Sequence, residues 1–207
     1  MNLGAKIIAV VFHPLLMASY LFALLSFTLP SALQPIQINF QQTFVLIIFL
    51  ITFLLPAFNI GVFKMLGSIQ SVTMPNRKER IMPFTFIFIL YAAVTYLFYA
   101  KFGIGLHDNM FKFLVIIDVL VFIATFITYF FRISIHSLGM CGLLGILIPL
   151  NRISDNTLLF IPTVVMIVIT GVVMSSRLLL NAHTAREVYI GAMTGLITGL
   201  SGMVILF

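Results

Sequence analysis

Residues 157–175, TLLFIPTVVMIVITGVVMS, are predominantly apolar and carry no charge, and a helix needs about 20 such residues to cross a bilayer. The segment that follows, residues 175–187, SSRLLLNAHTARE, holds two arginines, a histidine and a glutamate. A second apolar run, residues 187–207, comes directly after it. This pattern predicts two membrane helices joined by a short charged segment at one membrane surface.

The composition extends this prediction to the whole chain. Its 207 residues are 62% hydrophobic and 8% charged, with a mean hydropathy of +1.22, which excludes a soluble domain of this size. We predict an all-α polytopic transmembrane bundle of six to seven spans, forming one domain over residues 1–207 with its active site at one membrane interface. The predicted spans cover residues 5–29, 42–66, 84–101, 111–131, 136–150, 157–175 and 187–207.

The charged and histidine side chains of interest lie in three alternate connections between these spans, namely residues 67–83, 132–137 and 176–187. Two spans separate each connection from the next, and two crossings return a chain to the same side. We therefore expect all three connections to lie at one membrane face. This face carries most of the Lys and Arg residues, so the positive-inside rule makes it cytoplasmic. We expect an integral protein of the bacterial inner membrane.

The third connection contains a pair of side chains that suits nucleophilic chemistry. His183 and Glu187 are four residues apart, which places them on one face of a helix. A carboxylate that holds one imidazole nitrogen leaves the other free to attack or to accept a proton. Arg177 can join them only if the helix breaks near Asn181. Thr184 and Glu187 also match a capping box, so Glu187 has a structural alternative that can coexist with the first role.

Cations dominate the three connections, and they favour an anionic ligand. Arg77, Lys78 and Arg80 lie close together, and Arg177 adds a further guanidinium. We see no Cys, His and carboxylate set with metal-ligand spacing, whereas guanidinium groups suit an oxyanion such as phosphate. Taken alone, the first three cations are also typical of topology determinants, and His136 of an interfacial histidine.

Three other features of the spans have structural interpretations. Glycines 191, 195 and 199 follow Glu187 at spacing four, which is typical of closely packed membrane helices. His13 precedes Pro14 and predicts a kink or a packed polar contact in the first span. Asp118 lies in the middle of a span, but no partner is evident from the sequence, so we leave it outside the site.

The motifs together resemble those of the type 2 phosphatidic acid phosphatase superfamily. Ser176 and Arg177, then His183 after five residues and Glu187 after three more, resemble its third signature, with Glu in place of the usual Asp. SIHS, containing His136, resembles the second signature without its Pro and Gly. NRKERIMP, residues 76–83, resembles a compressed form of the first. The resemblance covers about residues 70–200.

The resemblance implies a metal-independent membrane phosphatase that hydrolyses a lipid phosphate or pyrophosphate through a phosphohistidine intermediate. It implies no cofactor and, as partners, the lipid phosphate substrate and membrane lipids. We expect no nucleic acid and no obligate protein partner. The implied catalytic residues are His183 as nucleophile, Glu187 as its orienting carboxylate and His136 as general acid. The implied phosphate-binding residues are Arg177, Arg80, Arg77, Lys78 and Ser134.

Two other functions fit parts of the sequence. A catalytically inactive scaffold could retain the phosphate-binding residues, although both histidines and the carboxylate are present. A transporter would be expected to show internal repeats and a polar site in the middle of the membrane, where only Asp118 is found. The sequence does not specify which lipid phosphate is bound.

Overall fold

A computed structural model describes residues 3–74, 76–154 and 157–207, and within these ranges the chain is helical and contains no strand. Seven helical segments of the described residues are long and apolar enough to cross a membrane, which confirms the predicted all-α transmembrane bundle. The α-helices are α1 (Leu3–Val11), α2 (Met17–Thr28), α3 (Ile38–Phe49), α4 (Leu55–Met65), α5 (Arg77–Phe102), α6 (Asn109–Phe130), α7 (Ile135–Ile153), α8 (Phe160–Leu179) and α9 (Ala185–Leu206).

The first two spans are each built from two helices. A 3-10 turn at Pro14–Leu16 separates α1 from α2, and His13 before it is extended, with φ −66° and ψ 137°. Because Pro14 has no N–H, α1 cannot continue through it, and the predicted kink is confirmed. In the second span, a π-helical segment at Leu50–Leu54 joins α3 to α4.

The third span begins earlier than the sequence predicted. α5 starts at Arg77, whereas hydropathy placed the start at residue 84, so most of the charged stretch NRKERIMP is helical. The Asn76 side chain caps the helix by accepting a hydrogen bond from the Lys78 amide at 3.2 Å. Glu79 in the first turn favours the same start through the helix dipole. Hydropathy detects the apolar part of a span, whereas its cap determines where the helix begins.

α7 and α9 pack closely against each other, and the contact depends on glycine. A Cβ atom on Gly195 would lie 2.1 Å from the Leu138 carbonyl oxygen, and one on Gly199 would lie 2.5 Å from the Gly142 carbonyl oxygen. The predicted packing role of these glycines, together with Gly191, is confirmed. The two helices carry residues of the candidate site at their N-terminal ends, so their separation sets the geometry of that site.

We expect Gly195→Ala to destabilise the protein strongly. The added methyl group meets backbone, which cannot rotate away, so the helices must separate, at a cost of about 3 kcal/mol, the upper end for overpacking. Gly171→Ala on α8 is the matched control, because no atom of another helix lies within 4 Å of its Cβ position. It should be neutral or raise stability by about 0.5 kcal/mol. Thermal unfolding in detergent compares the two, and equal midpoints would contradict the assigned role of Gly195.

Candidate functional site

The turn between α8 and α9 brings His183 against Glu187. α8 ends at Leu179, and Asn181 adopts a left-handed conformation with φ 49°, which provides the predicted break. α9 then starts at Ala185, so His183 lies just before the helix and not on it. Its Nδ1 nevertheless lies 2.7 Å from the Glu187 Oε2 atom. The predicted contact is therefore made across the helix N-terminus.

Glu187 makes both of the contacts that the sequence predicted for it. The Thr184 side chain accepts a hydrogen bond from the Glu187 amide at 3.3 Å, and Glu187 Oε2 accepts one from the Thr184 amide at 3.2 Å. The predicted capping box is thus confirmed. The same Oε2 atom faces His183, so capping fixes the position of the carboxylate that orients the imidazole.

The His183 imidazole is neutral, and its Nδ1 is the nitrogen that faces Glu187. Because Nδ1 donates to Glu187, the lone pair of the neutral ring lies on Nε2. The side chain is buried, and burial is the main cause that lowers the pKa of His183. Arg80 and Arg132 lower this pKa further, while Glu187 opposes them. The imidazole is therefore neutral at pH 7, and Nε2 can attack an electrophile.

Arg132 is a site residue that the sequence did not single out. Its Nε lies 4.0 Å from Glu187 Oε2, and its Nη2 donates to the Ala182 carbonyl at 2.6 Å. The guanidinium thus joins the segment before α7 to the turn before α9. The sequence did contain a signal for Arg132. It lies four residues before His136, in a connection already predicted to lie at the site face.

Ser134, a predicted phosphate-binding residue, lies at the start of α7. Its side chain is fully buried and caps α7, accepting from the Ser137 amide at 3.4 Å and the Ser137 hydroxyl at 2.9 Å. Its own amide donates to the Glu187 carbonyl at 3.1 Å. In this structure the Ser134 side chain is a helix cap. Ser134 thereby joins the N-terminal ends of α7 and α9.

Arg80 and Arg177 add positive charge to the same region. Arg80 is buried, and its Nε donates to the Met74 carbonyl at 2.7 Å. It interacts electrostatically with Arg132, Arg177 and Glu187. Arg177, in the last turn of α8, has a buried Nε without a hydrogen-bond partner among the described residues. One carboxylate therefore stands against three guanidinium groups, and this excess of positive charge suits a multiply charged anion.

His136 lies in the first turn of α7 and belongs to the same cluster. It interacts electrostatically with His183 and Arg177. Its Nε2 is 2.9 Å from the Ala9 carbonyl oxygen, which can only accept, so Nε2 carries a proton. Nδ1 is then the nitrogen available to a ligand. The imidazole of His13 lies beside it, with ring centroids 5.6 Å apart.

The two remaining predicted cations, Arg77 and Lys78, lie at the start of α5, and Asp118 lies in α6. The Arg77 guanidinium donates to the Tyr129 carbonyl at the end of α6, and Lys78 is exposed to solvent or headgroups. The cations that lower the pKa of His183 are Arg80 and Arg132. Asp118 interacts with Thr95 and Tyr91 of α5, two partners that the sequence did not reveal.

The site is rich in hydrogen-bond donors, and the described residues offer it no cluster of metal ligands. Within residues 3–74, 76–154 and 157–207, no group of three or more His, Cys, Asp or Glu side chains is placed to hold a metal ion.

Comparisons of this chain with models of protein families, with curated proteins and with solved structures found no match.

Proposed function

We propose that this membrane protein is a phosphatase that removes phosphate from a lipid phosphate or pyrophosphate, with His183 as nucleophile. The observation that carries the proposal is the 2.7 Å contact between His183 Nδ1 and Glu187 Oε2, made beside Arg80 and Arg132. A neutral imidazole oriented by a carboxylate and surrounded by guanidinium groups suits attack on phosphorus. The resemblance to the type 2 phosphatidic acid phosphatase superfamily supports the same reaction class.

The proposed reaction has two displacements at phosphorus. First, the substrate binds with one proton on its phosphate and passes that proton to Nδ1 of His136. Nε2 of His183 then forms a bond to phosphorus while the bond to the leaving oxygen breaks, and the proton on His136 Nδ1 neutralises that oxygen. Next, water attacks the phosphohistidine, the N–P bond breaks, and the proton of the water returns to His136. Arg80, Arg132 and Arg177 stabilise the charge on the three phosphoryl oxygens that do not leave.

The position of the site favours a lipid substrate. Arg177 lies in the last turn of α8, and His183 lies in the turn before α9, so the site is at the ends of membrane spans. A lipid phosphate presents its headgroup at this depth and leaves its hydrocarbon chain in the bilayer. The excess of Lys and Arg supports a cytoplasmic orientation of this face in a bacterial inner membrane.

Phosphate release by the purified protein tests the proposal. We expect turnover of at least one of phosphatidate, phosphatidylglycerol phosphate and a polyprenyl pyrophosphate in detergent, and we expect EDTA to leave the rate unchanged. His183→Ala, prepared in parallel, controls for contaminating phosphatases. If the protein binds inorganic phosphate but releases none from all three lipids, the inactive scaffold is the better description.

A further inference from the structure

The break in the first span brings this span to the candidate site. In a continuous helix the Ala9 carbonyl would accept from the amide of residue 13, but α1 ends before Pro14. The Ala9 carbonyl instead accepts the Nε2–H of His136 at 2.9 Å. α1 also packs against α8, the helix that carries Arg177. The N-terminal span is therefore part of the wall around His136.

The hydrogen bond of His13 determines where its own proton lies. The Leu15 amide donates to His13 Nδ1 at 3.4 Å, which caps the 3-10 turn at Pro14–Leu16. A nitrogen that accepts a hydrogen bond carries no proton, so the proton of the neutral ring is on Nε2. Among the described residues, no hydrogen-bond partner is found for this Nε2–H.

Two donors near His136, the Nε2–H of His13 and the Nε–H of Arg177, have no acceptor among the described residues. The His13 and His136 rings are 5.6 Å apart at an interplanar angle of 78°, and Arg177 acts electrostatically on both. The buried Nε of Arg177 is also without a hydrogen-bond partner in the described part of the chain. The Nε of Arg177 is buried, and buried donors are normally satisfied, so these two donors together suit a ligand that supplies acceptor oxygens.

We propose that His13 is a further substrate-binding residue, whose Nε2–H donates, together with Arg177, to a phosphoryl oxygen on the His136 side of the substrate. This assignment rests on the proposed function. It extends the site from the three charged connections to the first membrane span. It also gives a function to a histidine that lies in a predominantly apolar span, at the point where the helix breaks.

Two variants separate this role from a purely structural one. His13→Asn retains an acceptor near the Nδ1 position, so it preserves the cap of the 3-10 turn but removes the distal donor. His13→Gln retains a donor near the Nε2 position and loses the cap. Under the proposal, Asn weakens phosphate binding and Gln does not. If His13 only caps the turn, His13→Gln should weaken phosphate binding more than His13→Asn does.

The affinity for inorganic phosphate, measured by calorimetry in detergent, is the readout, because it does not require turnover. We expect His13→Asn to raise the Kd about tenfold, the scale of one hydrogen bond to a charged acceptor, and His13→Gln to stay within about threefold. His107→Asn is the matched control: it lies between α5 and α6 with 76% of its side chain exposed, and it should bind phosphate like the wild type.

Thermal unfolding of each variant checks that it is folded. An unchanged Kd in a folded His13→Asn protein, or an equal loss in both variants, overturns the assignment while leaving the proposed function intact. If the wild type neither binds phosphate nor releases it from lipids, the proposed function fails, and this inference fails with it. If neither variant folds, nitrogen NMR of histidine-labelled wild type decides: phosphate shifts the His13 Nε2 resonance, or the proposal is wrong.

Discussion

His183→Ala is expected to abolish turnover on every phosphate ester, lipid or aryl. Removing the imidazole removes the atom that forms the covalent bond to phosphorus, and no other described imidazole is paired with Glu187. Losses on removing an enzyme nucleophile reach about 10⁶-fold, and we expect at least about 10⁴-fold here. The measurement is phosphate release in the same detergent from a lipid monophosphate and from p-nitrophenyl phosphate.

Glu187→Gln is the informative companion to this variant. Glutamine also suits the third position of a capping box, so the start of α9 should be retained. Its amide cannot stabilise an imidazolium as a carboxylate does, and it permits the wrong tautomer of His183. Loss of a comparable orienting carboxylate in a serine protease lowers turnover about 10⁴-fold, and we expect Glu187→Gln to lower it roughly 10³–10⁴-fold.

Appreciable turnover by His183→Ala on either ester would show that His183 is not the nucleophile.

The fold was predictable because hydropathy reports directly on the physical constraint that a bilayer imposes. Each span must be apolar over about 20 residues, and this constraint leaves a signal in every span regardless of packing. The start of α5 at Arg77 was not predictable in the same way. Charged residues can continue a helix beyond the hydrocarbon, and there the cap at Asn76 decides the boundary.

The candidate site was predictable only where its contacts are local in the sequence. The spacing of His183 and Glu187 gave their contact, even though a cap and not a helix face makes it. The approach of Ala9 to His136 joins residues 127 positions apart, and it depends on how α1 meets α7. His13 carried a local signal only for a kink or a packed polar contact, without naming the partner. Its neighbour in space could not be identified from its neighbours in sequence.

We expect turnover to depend more strongly on His136 as the leaving oxygen becomes more basic. As general acid, it protonates that oxygen as the bond to phosphorus breaks, so an acidic leaving group needs it less. His136→Gln is the preferred variant, because a glutamine amide can still donate to the Ala9 carbonyl, which the histidine Nε2 now occupies. The amide has no titratable proton to transfer, so the variant tests proton transfer while retaining the contact with α1.

We expect the turnover rate of His136→Gln on a lipid monophosphate, whose leaving alkoxide is strongly basic, to fall about 10²–10⁴-fold. It should lose distinctly less on p-nitrophenyl phosphate, whose phenolate departs without help. The ratio of mutant to wild-type rates for the two substrates is the measurement. With the aryl ester the variant should also accumulate a phosphohistidine that is labile in acid and stable in base, because hydrolysis of this intermediate needs His136 as base. Equal losses on both substrates would mean that His136 binds phosphate or maintains structure. In that case the proton of the leaving group must come from another donor, and the partly buried His13 beside it would be the first to test.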